Sequence, residues 1–290
     1  MKIYQAIPKD DFHKYEYKFE LMNSEGVTPY SYTPGLGTEY ELFKEIYETT
    51  RPSEPWGLVS SKFEIKCPIK LIDFINFATN KLATGSDCVF INPMLINESL
   101  FFNVWEQGQL GHKGMGIIQK FLIEENYIFN NAMGVNSFAF CNYFVGNNFF
   151  WEKYFQYVDE ILDRLHTEAS LGTDVGAIFA GNANYHKNPT MSMQPFIVER
   201  LFSSFINKHK DIIDFSHYQY EIGHYEKKCG YHYGQMLYKL SRMKNSNIKN
   251  ASGLHSWNTI RNRIAASTAV FMGLLHLDDP DEKIISSIDN

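Results

Sequence analysis

The chain has 290 residues, of which 44% are hydrophobic and 16% aromatic, with 27 lysines and arginines against 33 aspartates and glutamates. The net charge of -6 excludes a nucleic-acid binder that relies on a strongly basic surface, and the apolar content excludes a disordered chain. A chain of this length buries enough apolar surface to fold without disulfides or a structural metal, as one large domain or two smaller ones.

The four cysteines, Cys67, Cys88, Cys141 and Cys229, are widely spaced and form no CxxC pair. This spacing favours reduced thiols over a disulfide framework or a zinc site. The first residues lack the features of a signal peptide, and the longest apolar stretch, 264–277, is shorter than the roughly 20 residues of a membrane span. We therefore expect a cytoplasmic location, in the cytoplasm itself or at the inner face of the membrane.

Hydrophobic periodicity in the first half of the chain alternates between strands and helices. Residues 88–91 form the clearest buried strand, because they are a continuous apolar run, while residues 8–37 are polar and rich in turn signals. Strands that alternate with helices predict an α/β layer structure with right-handed crossovers. The predicted strands cover residues 2–7, 56–63, 86–92 and 135–145, and the first predicted helices cover 39–49, 69–79 and 114–127.

Helical periodicity dominates the second half, and the segment 244–252, rich in lysine, asparagine and serine, predicts an exposed loop. We expect a single domain over residues 1–290, with an α/β part in 1–150 and a mainly helical part in 151–290. The further predicted helices cover residues 148–165, 193–208, 235–243 and 256–275.

The predicted strand 86–92 offers a first candidate site. Ligands of open α/β sheets bind at the carboxyl ends of strands, which favours Asn92 and the turn after it over Asp87. A metal-dependent nucleotide-sugar enzyme would need two close carboxylates there, and Asp87 is the one acid of this segment. The only DxD, at 279–281, is better explained as a solvated tail. The metal is therefore unknown, with Mg²⁺ or Mn²⁺ as the candidates and no well-placed DxD to hold either.

The densest polar segment of the chain, residues 103–114, offers a second candidate. Glu106 and His112 are side chains that can transfer protons near neutral pH, and Trp105 has a face on which a sugar can stack. The glycines of the segment permit close approach of the backbone to a ligand. The alternative is a loop in which Glu106 and His112 cap the helix that starts near Gly114.

A third candidate is the pair Glu199 and Arg200, which interrupts an otherwise apolar helix. Arg200 could bind a phosphate in a bidentate manner, and Glu199 could orient it or act as a base; an internal ion pair is the alternative. The histidines between residues 217 and 232 have spacings that match no usual metal site. The absence of Walker, GxGxxG and GxSxG motifs removes the usual support for ATPase, Rossmann dehydrogenase and α/β-hydrolase functions.

Six short motifs follow one another along the chain. They are WGLVSSKF at 56–63, DCVFINP at 87–93, NVWEQG at 103–108, HKG at 112–114, FVGNNFFW at 144–151 and PFIVERL at 195–201. In this order they resemble the motifs of small bacterial glycosyltransferase-like proteins of capsule, O-antigen and lipooligosaccharide assembly. The sequence departs from their pattern at Lys113, where a proline is expected, at Gln109, where an acid is common, and in having no DxD after the strand.

This resemblance implies a GT-A-like α/β fold, with a central mixed sheet and a helical C-terminal portion. It implies that residues 1–150 form the nucleotide-sugar part and that a sugar is transferred from a nucleotide-sugar donor to a glycan or lipid-linked glycan acceptor. The net charge of -6 predicts no nucleic-acid partner, and peripheral membrane association is compatible with the sequence. Glu106 and His112 are the first expected bases and Glu199 the next, while Arg200 or Lys62 would stabilise the departing nucleoside diphosphate. The expected substrate-binding residues are Ser61, Lys62, Asp87, Asn92, Asn103, Trp105, Gln107, Gly108, Asn147 and Arg200.

Two other functions fit the same residues. One is a non-catalytic glycan-binding or scaffold subunit of a polysaccharide assembly complex, and the other is a transferase that moves a phosphoryl-type or acyl group onto sugars. Sugar contacts are expected from the aromatic residues beside the motifs, whereas the aromatics at helical spacing are expected in the core. The first group consists of Trp56, Trp105, Phe149, Phe150 and Trp151.

Overall fold

A six-stranded mixed sheet organises the computed structural model, which describes residues 1–15, 22–23, 26–33, 39–183 and 191–277. The α/β class expected from the sequence is therefore confirmed. The strands are β1 (Lys2–Pro8), β2 (Val27–Tyr32), β3 (Trp56–Ser60), β4 (Cys88–Phe90), β5 (Phe144–Gly146) and β6 (Phe215–His217).

The strand order across the sheet is β2-β1-β3-β5-β4-β6. β5 is antiparallel to both of its neighbours, and the other paired strands run parallel, so five strands end at the same edge of the sheet. From β1 the chain passes to β2 on one side and then to β3 on the other side. The sheet therefore has a topological switch point at β1, the place where ligands bind in open α/β folds.

Helices make up most of the remaining described chain. In the helix 39–50, Tyr40, Phe43 and Ile46 are buried at intervals of three residues, which is why this amphipathic segment is helical. The helices are α1 (Phe12–Tyr15), α2 (Glu39–Thr50), α3 (Phe63–Lys66), α4 (Leu71–Ala83), α5 (Leu95–Leu100), α6 (Val104–Gly111), α7 (Met115–Glu124), α8 (Asn148–Ser170), α9 (Asp174–Ala180), α10 (Gln194–His209), α11 (Ile222–Cys229), α12 (Tyr231–Asn247), α13 (Ala251–Ala265) and α14 (Thr268–His276). None of the helices in this described part is long and apolar enough to cross a membrane.

Aromatic rings join the sheet to the helices around it. The indoles of Trp56 in β3 and Trp151 in α8 stack with centroids 4.1 Å apart, and Phe144 of β5 stacks on Phe202 of α10 at the same distance. Gly57 lets β5 approach closely, because a Cβ on it would lie 2.2 Å from the Phe144 carbonyl oxygen. The middle of the sheet is therefore a tightly packed aromatic core.

Several predicted elements differ from the structure. The polar stretch 8–37 contains β2, a strand that the turn signals obscured; its Pro29 is tolerated because β2 lies at the edge of the sheet. The strand predicted over 135–145 is limited to β5, and the helix predicted over 256–275 is divided between α13 and α14. The exposed loop predicted from residue 244 is also wrong at its start, because Lys244 lies within α12 and is fully buried.

Candidate active site

A crevice of about 640 Å³ opens at the carboxyl ends of β1, β2 and β3. Ala6 of β1, Tyr32 of β2 and Ser60 of β3 line it, together with residues of α2, α10 and the segment that leads into β5. Concave polar sites at the switch point of an open α/β sheet are where ligands bind. The fold thus places a concave polar surface beside β1, at the switch point of the sheet.

Two glutamates from different helices lie in this crevice, and both are held by the segment before β5. The side-chain amide of Asn142 donates to Glu39 Oε2 at 2.9 Å, and the backbone N–H of Cys141 donates to Glu199 Oε1 at 3.0 Å. Glu39 begins α2 and Glu199 lies in the middle of α10. Adjacent residues at the amino end of β5 therefore position both carboxylates.

The backbone at these two positions is left-handed, with φ of 64° at Cys141 and 50° at Asn142. Residues other than glycine avoid this region, although asparagine adopts it more readily than most. Each such residue costs on the order of 1–3 kcal/mol, and strain of this kind is concentrated at functional sites. The turn directs the Cys141 N–H and the Asn142 amide at the two carboxylates, so the strained backbone serves the site.

The environment of Glu39 raises its pKa to about 7. Burial by the surrounding protein is the main cause and the charge of Glu199 the next, while the hydrogen bond from Asn142 and the charge of Lys66 act in the opposite direction. The Glu39 side chain is nevertheless accessible to solvent from the crevice. A solvent-accessible carboxyl that exchanges its proton near neutral pH is suited to general acid–base chemistry.

Lys66 brings a positive charge close to this pair. Its Nζ lies 3.4 Å from Cys141 Sγ, and its pKa is raised by Cys141 first and by Glu199 and Glu39 as well, against the effect of burial. Burial in turn raises the pKa of the Cys141 thiol, against the effect of the Lys66 charge. The ammonium group compensates part of the negative charge of the two glutamates.

Glu106 lies outside the crevice. Its carboxylate accepts hydrogen bonds from Arg261 at 2.7 Å and from the Phe102 N–H at 2.5 Å, and it lines a separate groove of about 760 Å³ beside α13. His112 lies behind Phe196, which lines the crevice: the two ring centroids are 4.0 Å apart in a tilted arrangement. The His112 Nδ1 is 3.2 Å from the Ala183 carbonyl oxygen, and burial lowers the pKa of His112. The structure therefore separates both residues from Glu199, which does line the crevice.

Arg200 is fully enclosed by protein. Its guanidinium donates to the carbonyl oxygens of Val104 and Phe196, at 3.0 and 2.5 Å, and to Gln107 Oε1 at 2.5 Å. Burial lowers its pKa to about 10. Gly108 is needed here, because a Cβ on it would lie 2.4 Å from Arg200 Nε. In this arrangement Arg200 connects α10 to α6, and its donors are directed at protein acceptors rather than at the crevice.

Trp105 is also buried, and its indole N–H donates to Ser204 at 3.0 Å. Among the aromatic residues expected to meet sugar, Phe149 is the exposed one, at 43%, while Trp56, Phe150 and Trp151 belong to the core with Trp105. The aromatic surface beside the motifs is therefore mostly packing surface.

The predicted asparagines and Asp87 make local hydrogen bonds that hold the ends of helices and strands. Asn103 caps α6, Asn147 caps α8 while donating to Asp87 at 2.8 Å, and the Asn92 side chain closes a turn with Met94. Asp87 also accepts from the backbone N–H of Asp214 at 3.0 Å, which fixes the start of β4 beside β6.

Ser61 and Lys62 follow β3 at the edge where the crevice opens. The Ser61 N–H donates to the Ala6 carbonyl oxygen at 3.1 Å, and the Lys62 N–H donates to Ser60 Oγ at 3.0 Å. Ser60 and Ala6 both line the crevice. Of the predicted site residues, Glu199 therefore lies in the crevice and Ser61 and Lys62 lie next to it.

Sequence analysis missed Glu39, Lys66, Cys141 and Asn142. Glu39 follows a run of turn residues directly before an amphipathic helix, and an asparagine next to a predicted strand is a residue that tolerates left-handed backbone. Those two signals could have directed attention to Glu39 and Asn142. Neither signal shows that the residues meet Glu199.

The residues that the structure describes do not form a resident metal site. They contain no group of three histidine, cysteine, aspartate or glutamate side chains placed to hold an ion. The DxD at 279–281 lies outside the described residues. His217 and His224 are on different elements, and His224 caps α11 by accepting from the Glu221 N–H at 3.0 Å.

Comparisons of this chain with protein-family models, with curated proteins and with solved structures find no match. The function must therefore be argued from the crevice and from the motifs of the sequence.

Proposed function

We propose that this protein is a glycosyltransferase that moves a sugar from a nucleotide-sugar donor to a hydroxyl of a bacterial surface glycan, such as capsule or lipopolysaccharide. The observation that carries the proposal is the pair Glu39 and Glu199 in a crevice at the carboxyl ends of three parallel strands. The central mixed sheet and the helical C-terminal portion of the protein are compatible with the GT-A-like arrangement that the motifs imply.

Glu39 is the proposed base. As the acceptor oxygen forms a bond to the anomeric carbon of the donor sugar, the hydroxyl proton passes to the Glu39 carboxylate, and the bond from that carbon to the diphosphate oxygen breaks. A base whose pKa is about 7 accepts a proton readily at neutral pH. Glu199 acts as a positioning residue, because its negative charge is the second cause of that raised pKa.

The charge of the crevice sets a requirement for the donor. Glu39, Glu41, Glu45 and Glu199 line it, and the described lining residues include no lysine or arginine. A free diphosphate would be repelled by these carboxylates, whereas a diphosphate that has bound a divalent cation brings compensating positive charge. We therefore expect the donor to bind as its Mg²⁺ or Mn²⁺ complex, with the ion as part of the substrate.

The proposal is tested with UDP- and GDP-sugars in the presence of Mg²⁺, by thermal shift and by release of the nucleotide. Wild-type protein should be stabilised by one class of donor and should release its nucleotide. Glu39→Gln should retain the stabilisation and lose turnover by about 100-fold or more, the usual contribution of a general base.

Glu48→Gln is the matched control, because Glu48 is exposed on the same helix and does not line the crevice. It should behave as the wild type. If no donor binds, or if Glu39→Gln turns over at the wild-type rate, the proposal is wrong. Glycan binding without any turnover would instead support a non-catalytic subunit.

A further inference from the structure

A second, smaller cavity of about 100 Å³ lies at the same edge of the sheet as the crevice. Asn92 follows β4 and Tyr218 follows β6, and both line this cavity. The Tyr218 N–H donates to the carbonyl oxygen of Phe90 at 2.9 Å, which fixes the chain beyond β6 beside the end of β4. β4 and β6 run in the same direction as β1 and β3, so both openings are formed by the ends of parallel strands.

The two openings lie at the same edge of the sheet, with β5 between the strands that form them. Lys228 of α11 donates to the carbonyl oxygen of Lys66 at 2.8 Å and also to that of Pro93. The ammonium of Lys66 is 3.4 Å from Cys141 of the crevice, and Pro93 follows Asn92 of the small cavity. One lysine side chain thus joins the chain that follows β3 to the chain that follows β4.

Tyrosine rings dominate the lining of the small cavity. Tyr218 and Tyr220 have ring centroids 5.3 Å apart, and Tyr225 and Tyr238 have centroids 5.4 Å apart, each pair in a tilted or edge-to-face arrangement. Gln219 lies between the first two in the chain and is exposed. Rings that combine an apolar face with a hydroxyl suit ligands that are apolar on their faces and polar at their rims, as sugar rings are.

The negative charge of Glu98, the acidic residue that lines this cavity, is compensated within the protein. Glu98, which is 1% exposed, forms an ion pair with Lys244 at 3.1 Å and accepts from Ser241 at 2.5 Å and Asn245 at 3.1 Å. Arg242 is the exposed charged residue that lines the cavity. The cavity therefore offers hydrogen bonds and ring faces with little net negative charge, unlike the crevice with its four glutamates.

We infer that the tyrosine cavity binds an inner sugar of the acceptor glycan, behind the terminal sugar whose hydroxyl meets Glu39 in the crevice. The volume of the cavity equals that of about three water molecules in the liquid, so it admits one substituent of a sugar, such as a hydroxymethyl or acetamido group, with the ring held across the tyrosines. The assignment of this sugar to the acceptor glycan rests on the proposed function. Binding itself is independent of the donor, because it uses a separate opening.

The test uses methyl glycosides of glucose, galactose, N-acetylglucosamine and glucuronic acid as probes, without nucleotide, and detects binding by saturation-transfer NMR. At least one glycoside should bind wild-type protein, and Tyr238→Ala should weaken its binding about tenfold. Tyr233→Ala is the matched control, because Tyr233 lies on the same helix, is 44% exposed and does not line the cavity. Gln219→Trp places a bulky ring at an exposed lining position and should also block binding if Tyr238→Ala fails to fold.

The inference is overturned if no glycoside binds, if Gln219→Trp binds as wild type does, or if Tyr233→Ala loses binding to the same extent as Tyr238→Ala. Failure of the proposed function gives a different result. In that case glycosides still bind at the tyrosine cavity, while no nucleotide sugar stabilises the protein or is turned over.

Discussion

Replacing Lys244 by methionine should destabilise the protein strongly, although this lysine belongs to a segment whose composition is typical of a surface loop. Lys244 Nζ is 3.1 Å from Glu98 Oε1, and the two side chains are 0% and 2% exposed. The ammonium also donates to the carbonyl oxygen of Phe101 at 3.1 Å and lies 5.0 Å from the centre of the Phe138 ring. The substitution would leave the Glu98 carboxylate buried without its cation.

Loss of one partner of a buried ion pair costs about 3–5 kcal/mol. The Ser241 hydroxyl and the Asn245 amide continue to donate to Glu98, so we expect the lower end of that range, about 3 kcal/mol. In a domain slightly smaller than this one, each kcal/mol of lost unfolding free energy lowers the Tm by about 2–4 °C. Lys244→Met should therefore lower the Tm by roughly 6–12 °C.

Thermal and urea unfolding measure this effect, with Lys239→Met as the control, because Lys239 is exposed on the same helix. The double variant Glu98→Leu/Lys244→Met should recover most of the loss, since an apolar pair can replace a buried ion pair at little cost. A loss below about 1 kcal/mol in the single variant, or a double variant as unstable as the single one, would refute the reasoning.

Four further predictions concern the glutamate pair and its donor. Glu199→Gln should lower the pKa of Glu39 from about 7 but leave it above its ordinary value, because burial, the larger cause, remains. A pH titration followed by carbon NMR measures this pKa. An unchanged value would contradict the electrostatic coupling between Glu39 and Glu199. Since the folded-state pKa of Glu39 is raised above 4.5, its contribution to stability is present at low pH and is lost as the pH rises through about 7. Glu39→Gln should therefore lose less stability than wild type between pH 5 and pH 8 in urea unfolding. Asn142→Ala should be less stable than Asn142→Gly by about 1–2 kcal/mol, since both lose the amide but only glycine adopts left-handed backbone freely; equal stabilities would show that the strain is absent. Chelation of divalent cations should abolish the thermal shift that the donor produces, and a shift that survives chelation would contradict the electrostatic argument for a cation-bound diphosphate.

Much of the fold follows from local pattern. The strands β1, β3 and β4 and the helices α2, α8 and α10 lie where periodicity predicts them, because burial of one face imposes a repeat on the sequence. β2 has no such repeat: it pairs with β1 alone, so the burial that would mark it is incomplete. Lys244 is a different case. Its charge predicts exposure, and the partner that allows its burial, Glu98, is 146 residues away in the chain and cannot be identified from the sequence.

The candidate site was only partly predictable for a related reason. Glu199 could be found because a charge inside an apolar helix is costly and suggests a role. The local density of polar groups favoured Glu106 and His112 as site residues. That density reflects caps and ion pairs that hold α6 and its surroundings. Glu39, Asn142 and Glu199 are far apart in the chain, and only the strand order of the sheet brings them together.

The reversed direction of β5 has a consequence for how this protein could acquire new specificity. The register of β5 is fixed on both sides, since Gly146 pairs with Trp56 of β3 and with Cys88 of β4. A shift of one residue would invert every side chain of the strand and misplace both Cys141 and Asn142. The two carboxylates are therefore held by the end of a strand whose register is fixed on both sides, whereas the rim of the crevice around Tyr32 and Phe196 is only half-buried. Variation in substrate choice should accumulate on that rim, while the residues proposed to carry the acid–base chemistry should change together with the sheet or not at all.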